Sequence, residues 1–313
     1  MSGRYLGLDT SNYRTSAAFF EDADHWRNEG RLLSVPQGER GLRQSDAVFQ
    51  HVKALHGQIA KLGAIGPLRA VAASVTPRTQ PGSYMPCFLV GETVGRSVAS
   101  LSGLPFYAVS HQQGHVAAAA FSAGVLSWLR QPFYVWHVSG GTTELLLAEP
   151  DGAAGPRLTI VGGSQDLAAG QLVDRTGVLL GAAFPAGEQV ERWAAACDHP
   201  LPPARPKCRD GSFSLSGVEN QVQRHRQNGA SAEQLARFVM DTLANALARA
   251  TEQVLSQRPL PLLCVGGVMA NRALADGMRR RFGAAMAAPA LSGDNALGAA
   301  LLAKIREEGL NAI

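Results

Sequence analysis

The chain has 313 residues, 46% of them hydrophobic and 17% charged, with 34 glycines; this supports an α/β protein of one large domain or two medium lobes and excludes a disordered chain. Four scattered cysteines with no C-x-x-C pair exclude a cysteine zinc site and fit a reduced, cytosolic setting. A formal net charge of +4 permits a nucleic-acid partner without demanding one, and with no signal peptide or bilayer-length apolar stretch read from the sequence, a cytoplasmic protein with no membrane partner is expected.

Tyr5 to Phe19 reads as strand, hydroxyl-rich turn and strand. A helix is expected over Ser45 to Leu62, where Val48, Val52, Leu55, Ile59 and Leu62 share a face. Ala70 to Val75 and Phe106 to Val109 read as strands, separated by a helix over Glu92 to Leu101 that ends near Gly103. His111 opens a small, apolar helical run. Phe133 to Leu147 repeats the strand–turn–strand pattern of the N-terminus. Asp166 to Asp174 begins another helical pattern, and Pro200 to Gly211, rich in Pro, Arg and Lys, reads as an exposed loop. Ala232 to Leu255 is the longest helix. A strand over Leu262 to Val265 runs through two glycines into a helix over Asn271 to Phe282, and an apolar helix over Ala296 to Lys304 follows. The repeated hairpin predicts two similar lobes, residues 1–131 and 132–313, around a cleft, with the last helix packing back on the first lobe.

His111 and His115 stand four apart, on one face of a helix, where two imidazoles can grip one metal ion or simply cap and fill the helix start. A thermolysin-type protease carries glutamate after the first histidine; Gln112 cannot act as that base. In Ser139-Gly140-Gly141-Thr142-Thr143, consecutive amides and hydroxyls can wrap a phosphate, or form an ordinary hairpin turn. Val265-Gly266-Gly267 leading into Asn271 aims a helix start at an anion or nucleotide, or serves as a plain strand-to-helix connection. Asp294 precedes an apolar helix and reads as an N-cap or as a third metal ligand. Asp174, followed by Gly187 and Glu191, reads as a ribose-binding carboxylate or a solvated helix face. Arg14 and Arg78 read as an anion clamp or as solvated loop residues, and Arg279-Arg280-Arg281 as a solvated helix end or an RNA contact.

Taken together, Gly7-Leu-Asp-Thr-Ser, Gly91-Glu-Thr-Val-Gly-Arg-Ser, His111-x-x-x-His115, Val138-Ser-Gly-Gly-Thr-Thr-Glu-Leu, Ala168-Ala-Gly-x-x-x-Asp174, Phe213-Ser-Leu-Ser-Gly, Gly266-Gly-Val-x-Ala-Asn271 and Asp294-Asn resemble, in this order, the TsaD family of tRNA adenosine threonylcarbamoyltransferases, formerly called glycoproteases. The likeness runs from Leu6 to about Ala303 and looks like that of a divergent paralogue. It implies the actin-like ATPase (ASKHA) fold, two ribonuclease-H-like lobes around a nucleotide cleft. It implies one divalent metal ion, with iron, zinc and magnesium undistinguished, held by His111, His115 and Asp294. It implies an adenine nucleotide or adenylate lined by Val138, Ser139, Gly140, Gly141, Thr142, Asp174, Gly187, Glu191, Gly266, Gly267 and Asn271. The implied activity moves a threonylcarbamoyl group from an adenylate onto the tRNA adenosine beside the anticodon, and family members work with a small same-fold partner and an ATPase.

The departures are specific. Where the family carries Asp-Glu in the first turn, this chain has Tyr13 and Arg14, so Arg14 and Ser11 become the candidates for catalysis. Thr142 replaces a histidine, Glu219 replaces a lysine, and a proline-rich stretch from Thr76 to Pro86 replaces a Gly-Pro-Gly-Leu loop. The sequence therefore supports a TsaD-like transferase, with a catalytically altered nucleotide- and metal-binding regulator or scaffold as the alternative and a metalloprotease as the third.

Overall fold

A computed structural model describes residues 3–35, 42–152, 155–293 and 295–312. Its strands are β1 (Arg4–Ser11), β2 (Arg14–Phe20), β3 (Trp26–Leu32), β4 (Leu68–Thr76), β5 (Phe106–Ser110), β6 (Phe133–Val138), β7 (Thr143–Pro150), β8 (Pro156–Ser164), β9 (Ser212–Phe213), β10 (Leu262–Val265) and β11 (Ala285–Met286). Its helices are α1 (Gln44–Lys61), α2 (Phe88–Ser102), α3 (His111–Ser122), α4 (Ala169–Leu179), α5 (Gly187–Ala195), α6 (Ser216–Gln227), α7 (Ala232–Gln257), α8 (Arg272–Phe282) and α9 (Leu297–Glu308). The chain divides into a first unit of residues 1–131, 149–158 and 290–313, and a second of residues 132–148 and 159–289. The segment 149–158, which the sequence groups with the second half, thus packs with the first.

In the first unit the sheet order is β3-β2-β1-β4-β5. β1 and β2 form the hairpin expected from the sequence, closed by Asn12 and Tyr13 between paired Ser11 and Arg14; β4 and β5 join in parallel. Because side chains alternate across a strand, Tyr5, Ala18, Phe20, Ala70 and Ala72 face one way and build a core with α3 and α9. Leu6, Leu8, Ala17, Val71 and Ala73 face the other way and pack on α1 and α2. Covered on both sides, the inner strand β4 reads as nearly continuous apolar sequence from Ala70 to Ala73, as does β1 from Tyr5 to Leu8.

The second sheet has the order β11-β10-β6-β7-β8-β9. Here β6 is antiparallel to β7 and parallel to β10, which is parallel to β11. The set β7-β6-β10-β11 therefore repeats β2-β1-β4-β5. Its core gathers Trp136, Leu145, Phe213, Phe238 and Leu243. Trp136 Nε1 donates to Thr251 Oγ1 at 2.8 Å, which satisfies the indole N–H where both residues are fully buried.

Helix α2 begins at Phe88 rather than Glu92. The Thr10 hydroxyl donates to Cys87 O at 2.9 Å and accepts from Gly91 N at 3.1 Å, so a distant strand satisfies a first-turn amide. Among the described residues, no helix is long and apolar enough to cross a membrane.

Candidate active site

The two histidines do meet. Ser110 at the end of β5 caps α3 in a capping box: its hydroxyl accepts from Gln113 N at 3.1 Å, and Gln113 Oε1 accepts from Ser110 N at 2.9 Å. That box fixes the first turn, and the four-residue spacing brings the rings together, edge on, with centroids 4.4 Å apart. The two Nε2 atoms lie 3.0 Å from each other. Asp9, in β1 and 1% exposed, places Oδ2 at 2.8 Å from His111 Nδ1, while its Oδ1 accepts from Ser11 N at 3.1 Å. A buried carboxylate needs such partners. The Asp9 carboxylate favours the His111 tautomer with its proton on Nδ1, which would leave the Nε2 lone pair facing His115.

Asp294 lies outside the described residues. Among those described, no cluster of three or more His, Cys, Asp or Glu side chains suits a metal ion. What the first unit does show is a nitrogen pair with a carboxylate behind it.

Arg14 shares the sheet face of Asp9, because Ser11 pairs with Arg14 and Asp9 with Ser16. Its guanidinium lies across Gly30 of β3, where a Cβ would sit 2.5 Å from Nε. That Nε is buried with no hydrogen-bond partner among the described residues. Ser11 is buried at the end of β1. On the opposite face, Thr15 Oγ1 and His51 Nδ1 lie 2.7 Å apart, both fully buried, and burial pushes the His51 pKa down.

The remaining candidates except Arg78 lie in the second unit, five of them at the turn between β6 and β7, Val138 to Thr142. Ser139 N donates to Thr142 O at 2.8 Å and closes the turn, leaving Gly140 and Gly141 exposed. Three glycines let backbone crowd around it. A Cβ on Gly163 would lie 2.2 Å from Thr143 O, one on Gly170 2.5 Å from Gly140 Cα, and one on Gly266 2.2 Å from Val138 O. Gly170 opens α4 against the turn, and Ala169 N donates to Thr143 Oγ1 at 2.7 Å. By contrast, a Cβ on Gly140, Gly141, Gly187 or Gly267 would meet nothing within 4 Å.

Asp174, Glu191 and Asn271 each hold a helix start. Asp174 Oδ1 accepts from Ala186 N at 2.8 Å beside the first turn of α5, Glu191 Oε1 from Arg272 N at 3.0 Å, and Asn271 Oδ1 from Leu274 N at 3.0 Å. The first two bonds link α4 to α5 and α5 to α8.

Two carboxylates escaped the sequence reading. Asp9 sits in a strand otherwise apolar from Tyr5 to Leu8, a signal that a buried charge has a distant partner. Asp166 accepts from Leu215 N at 2.8 Å, Leu167 N at 2.6 Å and Ser216 Oγ at 2.6 Å. Burial alone would raise its pKa, but these bonds, led by Ser216, outweigh it and bring it down to about 2. Asp166 thereby ties the start of α6 to the loop before α4. Glu219 pairs with Arg175 at 3.0 Å; Arg279 pairs with Asp276 at 3.0 Å, and Arg281 with Glu252.

The family model described as tRNA N6-adenosine threonylcarbamoyltransferase matches residues 64–301. A tRNA N6-adenosine threonylcarbamoyltransferase of Thermus thermophilus is 31% identical over 276 residues, spanning 86% of this chain and 82% of its own. Another, from Parasynechococcus marenigrum, is 30% identical over 299 residues, spanning 88% and 81%. Among solved structures, the ADPNP-bound activator of 2-hydroxyisocaproyl-CoA dehydratase from Clostridium difficile aligns with a TM-score of 0.55 at 15% identity, over 99% of this chain and 98% of its own. Full-length HypF in its phosphate- and nucleotide-bound form aligns with a TM-score of 0.61 at 12% identity, over 98% and 56%. At these identities the likeness concerns the fold, which is the actin-like ATPase fold.

Proposed function

This chain belongs to the tRNA N6-adenosine threonylcarbamoyltransferase family, and we propose that it moves a threonylcarbamoyl, or related carbamoyl, group from an adenylate onto a tRNA adenosine beside the anticodon. In that reaction the bond between the carbamoyl carbon and a phosphate oxygen breaks and AMP leaves. The carbon joins N6 of the adenosine, which releases one proton.

The observation that carries the reading is the pair of Nε2 atoms 3.0 Å apart, backed by Asp9. That separation suits neighbouring ligands of one ion with metal–nitrogen bonds of about 2.0–2.1 Å. His111 and His115 would hold the ion, with Asp294 as the third ligand implied by the family, and imidazole donors favour a transition metal. When bound, the ion would supply Lewis-acid polarisation of a carbonyl or phosphoryl oxygen. Asp9 would set the His111 tautomer. Arg14, the chain's own replacement for a family carboxylate, would bind the negative charge of the acyl group or phosphate through its fork of donors. Ser11, two residues beyond Asp9, would serve beside it.

In the second unit, the exposed amides of Gly140 and Gly141, flanked by Val138, Ser139 and Thr142, would cradle the adenylate phosphate. Gly187 and Gly267, where a Cβ would meet no protein atom, would allow close approach by the nucleotide, while Gly266 would serve by letting β10 close on Val138. Asp174, Glu191 and Asn271 would frame that surface by holding helix starts in place. The family relation adds a small same-fold partner and an ATPase as co-workers. The alternative of a regulator that binds metal and nucleotide without turnover draws on Tyr13, Arg14 and Thr142, where family side chains have changed. A metalloprotease would need a base beside the histidines, and Gln112 is not one.

Titration calorimetry of the metal-loaded protein with ATP and ADP tests the nucleotide site. Wild type is expected to bind. Gly141→Val, whose new side chain meets no protein atom at its Cβ, is expected to keep its Tm and lose at least tenfold in affinity. Unchanged binding by Gly141→Val would remove the phosphate from this turn.

A further inference from the structure

Residues 201–208 form no regular secondary structure, yet burial alternates along the end of this segment. Arg205, Lys207 and Arg209 are exposed, Ala204 and Pro206 half-buried, and Cys208 buried. Alternation with period two is the signature of extended chain. Pro202, Pro203 and Pro206 hold φ near the extended range, and Pro206 also restricts Arg205 before it.

One stripe of α7 pins the inward residues. Thr242 Oγ1 accepts from Ala204 N at 3.0 Å, and Arg249 Nη1 donates to Pro206 O at 3.0 Å. Gln253 Nε2 donates to Cys208 O at 3.1 Å, and its Oε1 accepts from Gly211 N at 2.9 Å. Thr242, Arg249 and Gln253 fall on one helix face. The outward side is left with three cationic side chains in a row, whose Cα atoms repeat every two residues at about 6.4–6.8 Å, a spacing of the same order as that between successive phosphates of one nucleic-acid strand. A cavity of about 510 Å³ adjoins the last two, lined also by Gln165, Ser212 and Ser214. Asp210 lines it too, but its 3.4 Å contact with Arg209 joins side chains 81% and 86% exposed. So exposed a pair is weak and leaves Arg209 available.

We propose that Arg205, Lys207 and Arg209 form a rail that binds the phosphate backbone of an RNA strand, resting on the transferase reading with tRNA as acceptor. The pinned backbone matters, because it holds the three side chains in register and leaves only their rotamers to be ordered on binding.

The test is fluorescence anisotropy of labelled tRNA with the full chain across a salt series. It compares wild type, the triple variant Arg205→Ala, Lys207→Ala, Arg209→Ala, and a control, Arg279→Ala, Arg280→Ala, Arg281→Ala, that removes equal charge from the end of α8. Each phosphate contact on a single strand contributes about 0.7 to the slope of log K against log salt. The rail variant is expected to lower that slope by about 2, the control by much less, with calorimetric ATP binding unchanged in both. Equal slopes for rail variant and wild type would overturn the rail and leave tRNA as acceptor. A wild type that binds ATP but no tRNA would overturn both the rail and the acceptor.

Discussion

Alanine at His111 is expected to abolish binding of the divalent metal proposed for the His111–His115 pair. His111 is the first residue of α3 and half-buried, so its removal leaves the helix cap at Ser110 and Gln113 intact. Asp9, 1% exposed, loses its imidazole partner in this variant, so Tm should fall as well, and metal content is read at a temperature where the variant is folded. Asp9→Asn is the finer probe. It keeps the side-chain shape but removes the charge that orients His111 Nδ1, and a carboxylate behind a metal-bound histidine is typically worth about 10–100-fold in affinity. Chelator competition monitored by elemental analysis would read both variants. Stoichiometric metal in His111→Ala would show that the pair is only a hydrogen-bonded couple at a helix start.

Gly298→Ala is expected to be the most damaging single methyl group in the first unit. Its Cβ would fall 1.8 Å from Gly114 O and 2.7 Å from Gly114 Cα. Backbone, not a flexible side chain, stands in the way, so α9 and α3 must part. Overpacking costs about 1–3 kcal/mol and occasionally more, and a backbone clash belongs at the upper end. At roughly 2–4 °C per kcal/mol for a domain of this size, Tm should fall by about 6–12 °C. The facing residue supplies the control. A Cβ on Gly114 would meet only Ala299 N, at an ordinary 3.8 Å, and alanine is the better helix former by about 1 kcal/mol. Gly114→Ala should therefore be neutral or stabilising. Because Gly114 immediately precedes His115, Gly298→Ala should also weaken metal binding. Equal melting temperatures for the two variants would show that α3 and α9 do not cross at this pair.

The opposite outcomes expected of two facing glycines illustrate what a sequence reveals and what it does not. Apolar periodicity made α7 legible and a continuous apolar run β10, and the repeated hairpins β1–β2 and β6–β7 were visible as a duplicated pattern; α1 was found, but its buried face is Ala47, His51, Leu55 and Gln58, and Val52, expected on that face, is exposed. The histidine pair followed from helical spacing alone. Features set by distant partners were not visible. Asp9 meets His111 across 102 residues, and Thr10 starts α2 from another strand. Helix α6 carries only Val218 and Val222 as buried residues, too few to show a period. Strand β3 is a half-exposed edge with Arg27, Asn28, Glu29 and Arg31 in its middle, a pattern that reads as loop. Asp174, Glu191 and Asn271 could be singled out in sequence, but their hold on helix starts depends on where α5 and α8 arrive.

The most direct test of the central proposal is group transfer itself. Metal-loaded protein, with threonylcarbamoyl-adenylate, unmodified tRNA and the cognate partner proteins, would be followed by mass spectrometry of digested nucleosides. The expected result is threonylcarbamoyl-adenosine in the wild-type reaction and none with His111→Ala or Gly141→Val. Unmodified adenosine from a protein that binds both metal and nucleotide would contradict transfer and leave a regulator built on the same fold.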